Sequence, residues 1–358
     1  MESLSTRIFK NNLTIKTIKF FKFHIEQFYF LISAIVSRVI NFIKPNKPVQ
    51  SILVIKWDEI GDMAYALHIF DHLKIQYPGI PITLYCKPFV LPLVQNHPGV
   101  NFIVHHLPDK KFDLVVELRG NWETLKYALR NMPNRRLDRG GVRLKNKLTG
   151  GQKHEVITNF EIIEPLLPKG TKPLLPKIYT DEDSGSNVSK FISENRLTRF
   201  AVIHCGARRI LRQWPVQNFA ALVKILKEKY SLQIVFAGTS EDEPAINEVI
   251  ELSNIEAILC TRNFSLMDFS VLVSRASLFV GNESGPLHIA AVMETPLVGI
   301  YGPGVPDIFY PIGERSAVVH HVLDCNPCDQ VHCVRPENPC INLATVLQVE
   351  EKIQEVLN

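Results

Sequence analysis

Two stretches place reactive residues where an apolar run hands over to a helix. The first is Trp57-Asp58-Glu59-Ile60-Gly61-Asp62, directly after Ile52-Leu53-Val54-Ile55-Lys56. Asp62, at the mouth of that turn, is a candidate general base for a hydroxyl nucleophile. It suits equally well the N-cap of the helix that follows. The second stretch is Gly281-Asn282-Glu283-Ser284-Gly285-Pro286-Leu287-His288, after the short apolar run Ala276–Phe279. Here Ser284 and Gly285 would offer unpaired backbone N–H groups to an anion. Pro286 fits the first helical turn, where its missing N–H costs nothing. His288 would lie within one turn of whatever the loop holds. By itself this second stretch is equally well an ordinary capped helix.

Three further loops strengthen the anion reading: Gly206–Arg212, Gly238–Glu243 and Thr261–Ser265. Each follows a predicted strand of the same half of the chain. Arg212 could neutralise a diphosphate, and Glu241 or Glu243 could accept from ribose hydroxyls. Acidic residues also favour solvated helix N-termini, which accounts for either glutamate taken singly. Gathered on one edge of one sheet, the four loops suggest a nucleotide diphosphate site. No Gly-x-Gly-x-x-Gly follows a predicted strand and no Walker motif is present, so dinucleotide redox chemistry has no support.

The elements that must hold these residues alternate between strand and helix. Strands are predicted at Ser51–Lys56, Ile82–Cys86, Val100–Val104 and Asp113–Glu117. Helices are predicted over 63–77, near 90–96 and over 122–131. Residues 135–153, basic and glycine-containing, read as an exposed loop before a helix at 154–166. Prolines 165, 168, 173 and 176 and a polar run to Ser189 mark a linker. The second half repeats the scheme, with strands Phe200–His204, Leu232–Ala237, Ala257–Cys260 and Leu297–Tyr301. Its helices are expected at 216–229, up to Leu252, at 266–275 and after Gly285. This is the pattern of parallel sheets covered by helices, in two Rossmann-like halves with a cleft between them. The expected division is an N-terminal extension (1–50), a first domain (51–180) and a second domain (181–358).

With 358 residues, 46% hydrophobic and 21% charged, the chain is a globular protein large enough for two cores. Its net charge of +4 is uneven. Residues 1–50 carry eight Lys/Arg against two Asp/Glu, and the other 308 residues are slightly acidic, so no nucleic-acid footprint is expected. Residues 7–43 mix cations with an uncharged run of 11 residues, Gln27–Ser37. A spanning helix needs about 20. The segment reads either as an amphipathic helix on an anionic membrane or as a helix packed on the protein itself. Of the seven cysteines, Cys86, Cys205 and Cys260 sit in apolar runs and read as core residues. Cys325, Cys328, Cys333 and Cys340 have a spacing that a structural zinc site could use, and read rather as structural thiols. The odd count with no secretory signal favours a reducing compartment.

From Ile52–Lys56 through Gly61-Asp62, by way of Arg212-Gln213-Trp214-Pro215 and Phe236-Ala237-Gly238, to Gly281–His288 and Gly302-Pro303, the chain resembles glycosyltransferase family 9. These are the ADP-heptose:lipopolysaccharide heptosyltransferases. The resemblance implies a GT-B fold and inverting transfer from a nucleotide-activated sugar, with no metal or other cofactor. It implies Asp62 as base, Arg212 on the donor phosphate, and Ser284, Gly285 and His288 around the diphosphate. Gly238, Glu241, Glu243, Glu283 and Pro286 complete the expected donor site. The implied donor is ADP-heptose and the implied acceptor an anionic glycolipid of the lipopolysaccharide core. The expected location is cytoplasmic, on the inner face of the inner membrane, reached through residues 7–43. The chain departs from the family pattern at Glu283, where Asp is usual, at Trp57-Asp58-Glu59-Ile60, and in its first 50 residues. Two other readings fit the sequence: a catalytically silent nucleotide-sugar-binding protein, and another GT-B reaction such as sugar-nucleotide epimerisation.

Overall fold

The structure is a computed structural model and describes residues 24–25, 27–43, 47–261, 264–326, 328 and 330–358. The basic lead of the N-terminal segment, Arg7 to Phe23, lies outside the described residues, as do Arg262 and Asn263 of the Thr261–Ser265 loop.

Residues 27–43 form a helix, α1. The first sheet then begins with β1 (Ile52–Lys56), followed by α2 (Ile60–Ala64), α3 (His68–Gln76), β2 (Ile82–Cys86), α4 (Leu91–Val94), β3 (Phe102–Val104) and β4 (Leu114–Arg119). After α5 (Trp122–Asn131) come β5 (Arg135–Asp138), α6 (Arg139–Thr149) and α7 (Glu155–Ile163). The five strands are parallel, in the order β3-β2-β1-β4-β5. The second unit runs α8 (Glu182–Glu194), β6 (Phe200–His204), α9 (Val216–Glu228), β7 (Gln233–Ala237), α10 (Glu243–Ser253), β8 (Ile258–Cys260) and α11 (Leu266–Ser274). It continues through β9 (Leu278–Asn282), α12 (Gly285–Val292), β10 (Leu297–Tyr301), α13 (Pro306–Phe309), β11 (Ser316–His320) and α14 (Val346–Leu357). Its six strands are again all parallel, in the order β11-β10-β9-β6-β7-β8.

Both sheets have the doubly wound order, in which the strand sequence reverses beside the first strand of each half. In the first sheet the reversal lies between β1 and β4, in the second between β6 and β9. The central strands are apolar along their whole length because helices cover both faces; β1, β2, β6, β9 and β10 are buried at every residue.

Residues 135–153 are not the exposed loop expected. They supply the fifth strand and an 11-residue helix. Arg136 and Arg139 are buried because each meets a carboxylate: Arg136 pairs with Glu117 at 3.1 Å and Arg139 with Glu155 at 2.6 Å. Such pairing across the tertiary fold allows a charged segment to occupy the interior. β11 and α14 were likewise not anticipated, and α14 packs on β10, β11 and α9.

Helix α1 lies against the first sheet's helices. Its Ser33 and Ser37 accept hydrogen bonds from the Arg136 guanidinium, at 2.9 and 2.5 Å. Tyr29 donates to Glu117 at 2.8 Å, and Asn41 pairs in both directions with the Arg136 backbone. The described part of the N-terminal segment is therefore packed on the protein. Among the described residues no helix is long and apolar enough to cross a membrane.

Candidate active site

β1 ends at Lys56, and the turn after it is held by charge. Lys56 Nζ, fully buried, lies 3.3 Å from Asp58 and 3.2 Å from Glu155. Glu155 is in turn gripped by both terminal nitrogens of Arg139. Asp62 sits above this network, inside α2. It is not the N-cap: that residue is Glu59, which makes no side-chain cap. Burial, with the nearby Asp58 charge, pushes the Asp62 carboxyl up to about 6, against the pull of Lys56. A carboxylate so placed is ionised at neutral pH and still basic enough to take a proton.

The second sheet brings α12 to the same place. Ser284 precedes its first residue and does not cap it; the Ser284 hydroxyl donates instead to the Asn282 carbonyl at 3.1 Å. The N–H groups of the first turn, those of Gly285 and Leu287, therefore have no partner within the helix. The two helix starts meet face to face, with Ile60 against Gly285 and Gly61 against His288. A Cβ on Gly61 would lie 2.4 Å from His288 Cδ2, so only glycine permits this approach.

His288 is buried, and its Nδ1 lies 2.9 Å from the Tyr65 hydroxyl. Burial, with the charge of Arg212 close by, pushes its imidazole down to about 3. It is neutral, so it contributes hydrogen bonding and shape.

Arg212 is held by three partners. Its guanidinium bonds Gln330 Oε1 at 2.7 Å and the Glu283 carbonyl at 3.3 Å, and pairs with the Glu283 carboxylate at 3.2 Å. Burial pushes Glu283 up to about 7 against the pull of that arginine. Glu283 thus orients Arg212 from behind.

A cavity of about 910 Å³ joins these groups. Asp62 lines it from one side; Arg212, Gly238, Glu241, Glu283, Ser284, Gly285, Pro286 and His288 line it from the other. Glu243 does not. It lines an adjoining pocket of about 340 Å³ with Phe191 and Phe264, and accepts from Thr261 at 2.8 Å. Residues that sequence reasoning passed over also line the cavity: His204, Arg208, Asp242 and Gln330. Asp242 accepts from the Thr239 N–H at 2.7 Å, and its carboxylate fills the space that a Cβ at Gly238 would need. Glu59 ties the two sides together, pairing with Lys87 at 2.8 Å and with Arg208 across the cleft at 3.0 Å. Among the described residues no group of three or more His, Cys, Asp or Glu is gathered to hold a metal ion, the four late cysteines included.

Two doubly wound sheets facing a cleft, with a carboxylate on one side and a helix start with open N–H groups on the other, define a GT-B glycosyltransferase. A profile of glycosyltransferase family 9 (heptosyltransferase) matches residues 103–338, and the chain belongs to that family. It is 27% identical over 311 residues to lipopolysaccharide heptosyltransferase 2 of Salmonella typhimurium, spanning 75% of this chain and 88% of that one. Two solved structures share the fold. A family 9 glycosyl transferase from Veillonella parvula superposes with a TM-score of 0.75 at 18% identity, covering 87% of this chain and 98% of its own. The ADP-heptose lps heptosyltransferase II of E. coli gives 0.67 at 22% identity, covering 86% and 98%.

Proposed function

We propose that the protein transfers a heptosyl residue from ADP-heptose to a lipopolysaccharide core or related envelope glycolipid, inverting the anomeric centre and using no metal. The choice of donor and acceptor follows the relatives, whose names specify both. The observation that carries the mechanism is the opposition, across one cavity, of Asp62 to Arg212 and the start of α12. The acceptor hydroxyl gives its proton to the Asp62 carboxylate as its oxygen attacks the anomeric carbon. The bond from that carbon to the ADP β-phosphate oxygen breaks on the opposite face, and the electron pair leaves with ADP. Arg212 and the N–H groups of Gly285 and Leu287 meet the departing charge, the task a cation performs elsewhere. Glu283 keeps Arg212 in position. Gly238 leaves room for the Asp242 carboxylate at the wall of the cavity, with Glu241 as acceptor for ribose hydroxyls and Glu243 behind it in the side pocket. The work is done at the cytoplasmic face of the inner membrane, where a soluble donor meets a lipid-borne acceptor.

The test is ADP release from ADP-heptose, with and without heptose-deficient lipopolysaccharide, in EDTA. Release that needs the acceptor and ignores EDTA is expected, with the new linkage of inverted configuration by NMR. Release without acceptor would mean hydrolysis, and a strict need for Mg²⁺ or Mn²⁺ would remove the metal-free step. Donor binding without turnover on any acceptor would reduce the protein to a nucleotide-sugar-binding one.

A further inference from the structure

Helix α1 is apolar on both of its faces. The side turned to the protein buries Phe30, Ala34 and Ile40, beside Tyr29, Ser33, Ser37 and Asn41, the hydroxyl and amide groups that satisfy Arg136 and Glu117. The side turned away carries Phe28, Leu31, Ile35, Val39 and Phe42, at helical spacing and between 46% and 86% exposed. A helix that faces water on one side and protein on the other carries polar residues on its outer face, and α1 does not. The apolar stripe widens onto α5, where Trp122 and Leu129 are also exposed and the Phe28 and Trp122 rings lie 6.4 Å apart. Large exposed apolar patches of this kind mark interaction surfaces.

Charge around the stripe selects the partner. Arg38 on α1, Lys126 and Arg130 on α5, and Lys145 and Lys147 on α6 are exposed, against one exposed acid on these helices, Glu123. Lys147 reaches Gln27 at 3.4 Å, which brings the α6 cations to the start of α1. The 26 residues before α1 carry Arg7, Lys10, Lys16, Lys19 and Lys22 against Glu2 and Glu26. An apolar ridge with an interfacial tryptophan and a cationic rim matches a bilayer surface rich in anionic lipid. We infer that the outer face of α1, with Trp122 and Leu129, inserts into an anionic membrane while the helix stays packed on the first sheet. Its use, delivery of the cleft to a lipid-borne acceptor, rests on the function proposed above; the surface itself does not.

The experiment uses the full chain and the triple variant Leu31→Gln/Ile35→Gln/Val39→Gln, which alters outward side chains alone. Wild type should cosediment with phosphatidylglycerol/phosphatidylethanolamine vesicles. It should bind phosphatidylcholine vesicles at least about tenfold more weakly, and lose affinity in high salt. The triple variant should lose at least about tenfold in binding to the anionic vesicles. Its thermal midpoint and its turnover of a water-soluble acceptor should match wild type. Equal vesicle binding by both proteins, or none by wild type, overturns the inference. So does a wild-type dimer in sedimentation velocity that the triple variant dissociates, because the stripe is then a protein interface. Failure of the soluble-acceptor reaction in wild type counts against the proposed function and leaves the vesicle result to stand by itself.

Discussion

Replacing Asp62 by Asn tests the proposed base at nearly constant shape. With its carboxyl pushed up to about 6, Asp62 is about 90% ionised at pH 7 and about 10% at pH 5. Wild-type kcat/KM should therefore rise about tenfold between those pH values, following the free enzyme's base. The Asn variant should turn over about 10²–10⁴-fold more slowly and lose that limb, with donor affinity largely intact. Stability should move the other way. The folded protein binds the proton more tightly than the unfolded chain, whose carboxyl lies near 3.8, so stability falls as pH rises from about 4 to 6. The difference of about two pH units corresponds to at most about 3 kcal/mol, reduced by the burial of the amide itself. Urea unfolding at pH 7.5 should show the Asn variant more stable than wild type, with the gap closing below about pH 4. A flat wild-type profile between pH 5 and 7, or an Asn variant that keeps its turnover, would refute the assignment. A less active variant that is also less stable at pH 7.5 would mean that Asp62 holds the structure together.

Arg212→Ala should weaken donor diphosphate binding by about 1.5–3 kcal/mol, measured calorimetrically with ADP; unchanged affinity would take Arg212 out of the site. Glu283, raised to about 7, becomes an anion as pH rises through that value and then competes with the diphosphate for Arg212. ADP affinity should therefore fall between pH 6 and 8.5, and Glu283→Gln should flatten the dependence; a pH-independent wild type would refute this. Removal of residues 1–47 takes Ser33, Ser37 and Tyr29 from the buried Arg136–Glu117 pair and should destabilise by about 3–5 kcal/mol in urea; full stability would mean that α1 is dispensable to the fold.

The strands legible in the sequence were those whose burial is apolar. Ile52–Lys56, Ile82–Cys86 and Leu297–Tyr301 are predominantly apolar runs between turn residues, and they are strands in the structure. Arg135–Asp138 was not legible, because a strand reading Arg-Arg-Leu-Asp is buried only by virtue of Glu117 and of the hydroxyls on α1. Those partners lie 19 and about 100 positions away, and no local window contains them. The same holds for α1 itself. Its sequence showed an amphipathic helix, yet the face turned inward combines the hydroxyls that meet the guanidinium beneath it with the buried Phe30, Ala34 and Ile40. Composition therefore left membrane docking and packing on the protein as rivals, and the structure makes packing on the protein a fact of one face.

The site divides along the same line. Asp62 and Ser284 were legible because each stands next to a glycine that marks a strand-to-helix turn, and Arg212 because it lies three residues before Pro215 at the start of α9; doubly wound topology brings such turns to the switch point. His204, Asp242 and Gln330 were not, because no local pattern distinguishes them; Gln330 enters by folding back 118 positions to hold Arg212. Glu59 is the instructive case. In the sequence it is one of two carboxylates, with Asp58, in the stretch where the chain departs from the family pattern. In the structure its charge is taken up by Lys87 on its own side and Arg208 on the other. Of the two, only Asp58 acts on Asp62 with its charge, while Glu59 adds an ion pair across the mouth of the cleft. An anionic donor entering there meets Arg208 first. Any phosphate contact with Arg208 must compete with Glu59, so donor binding and the contact between the two sheets draw on the same guanidinium.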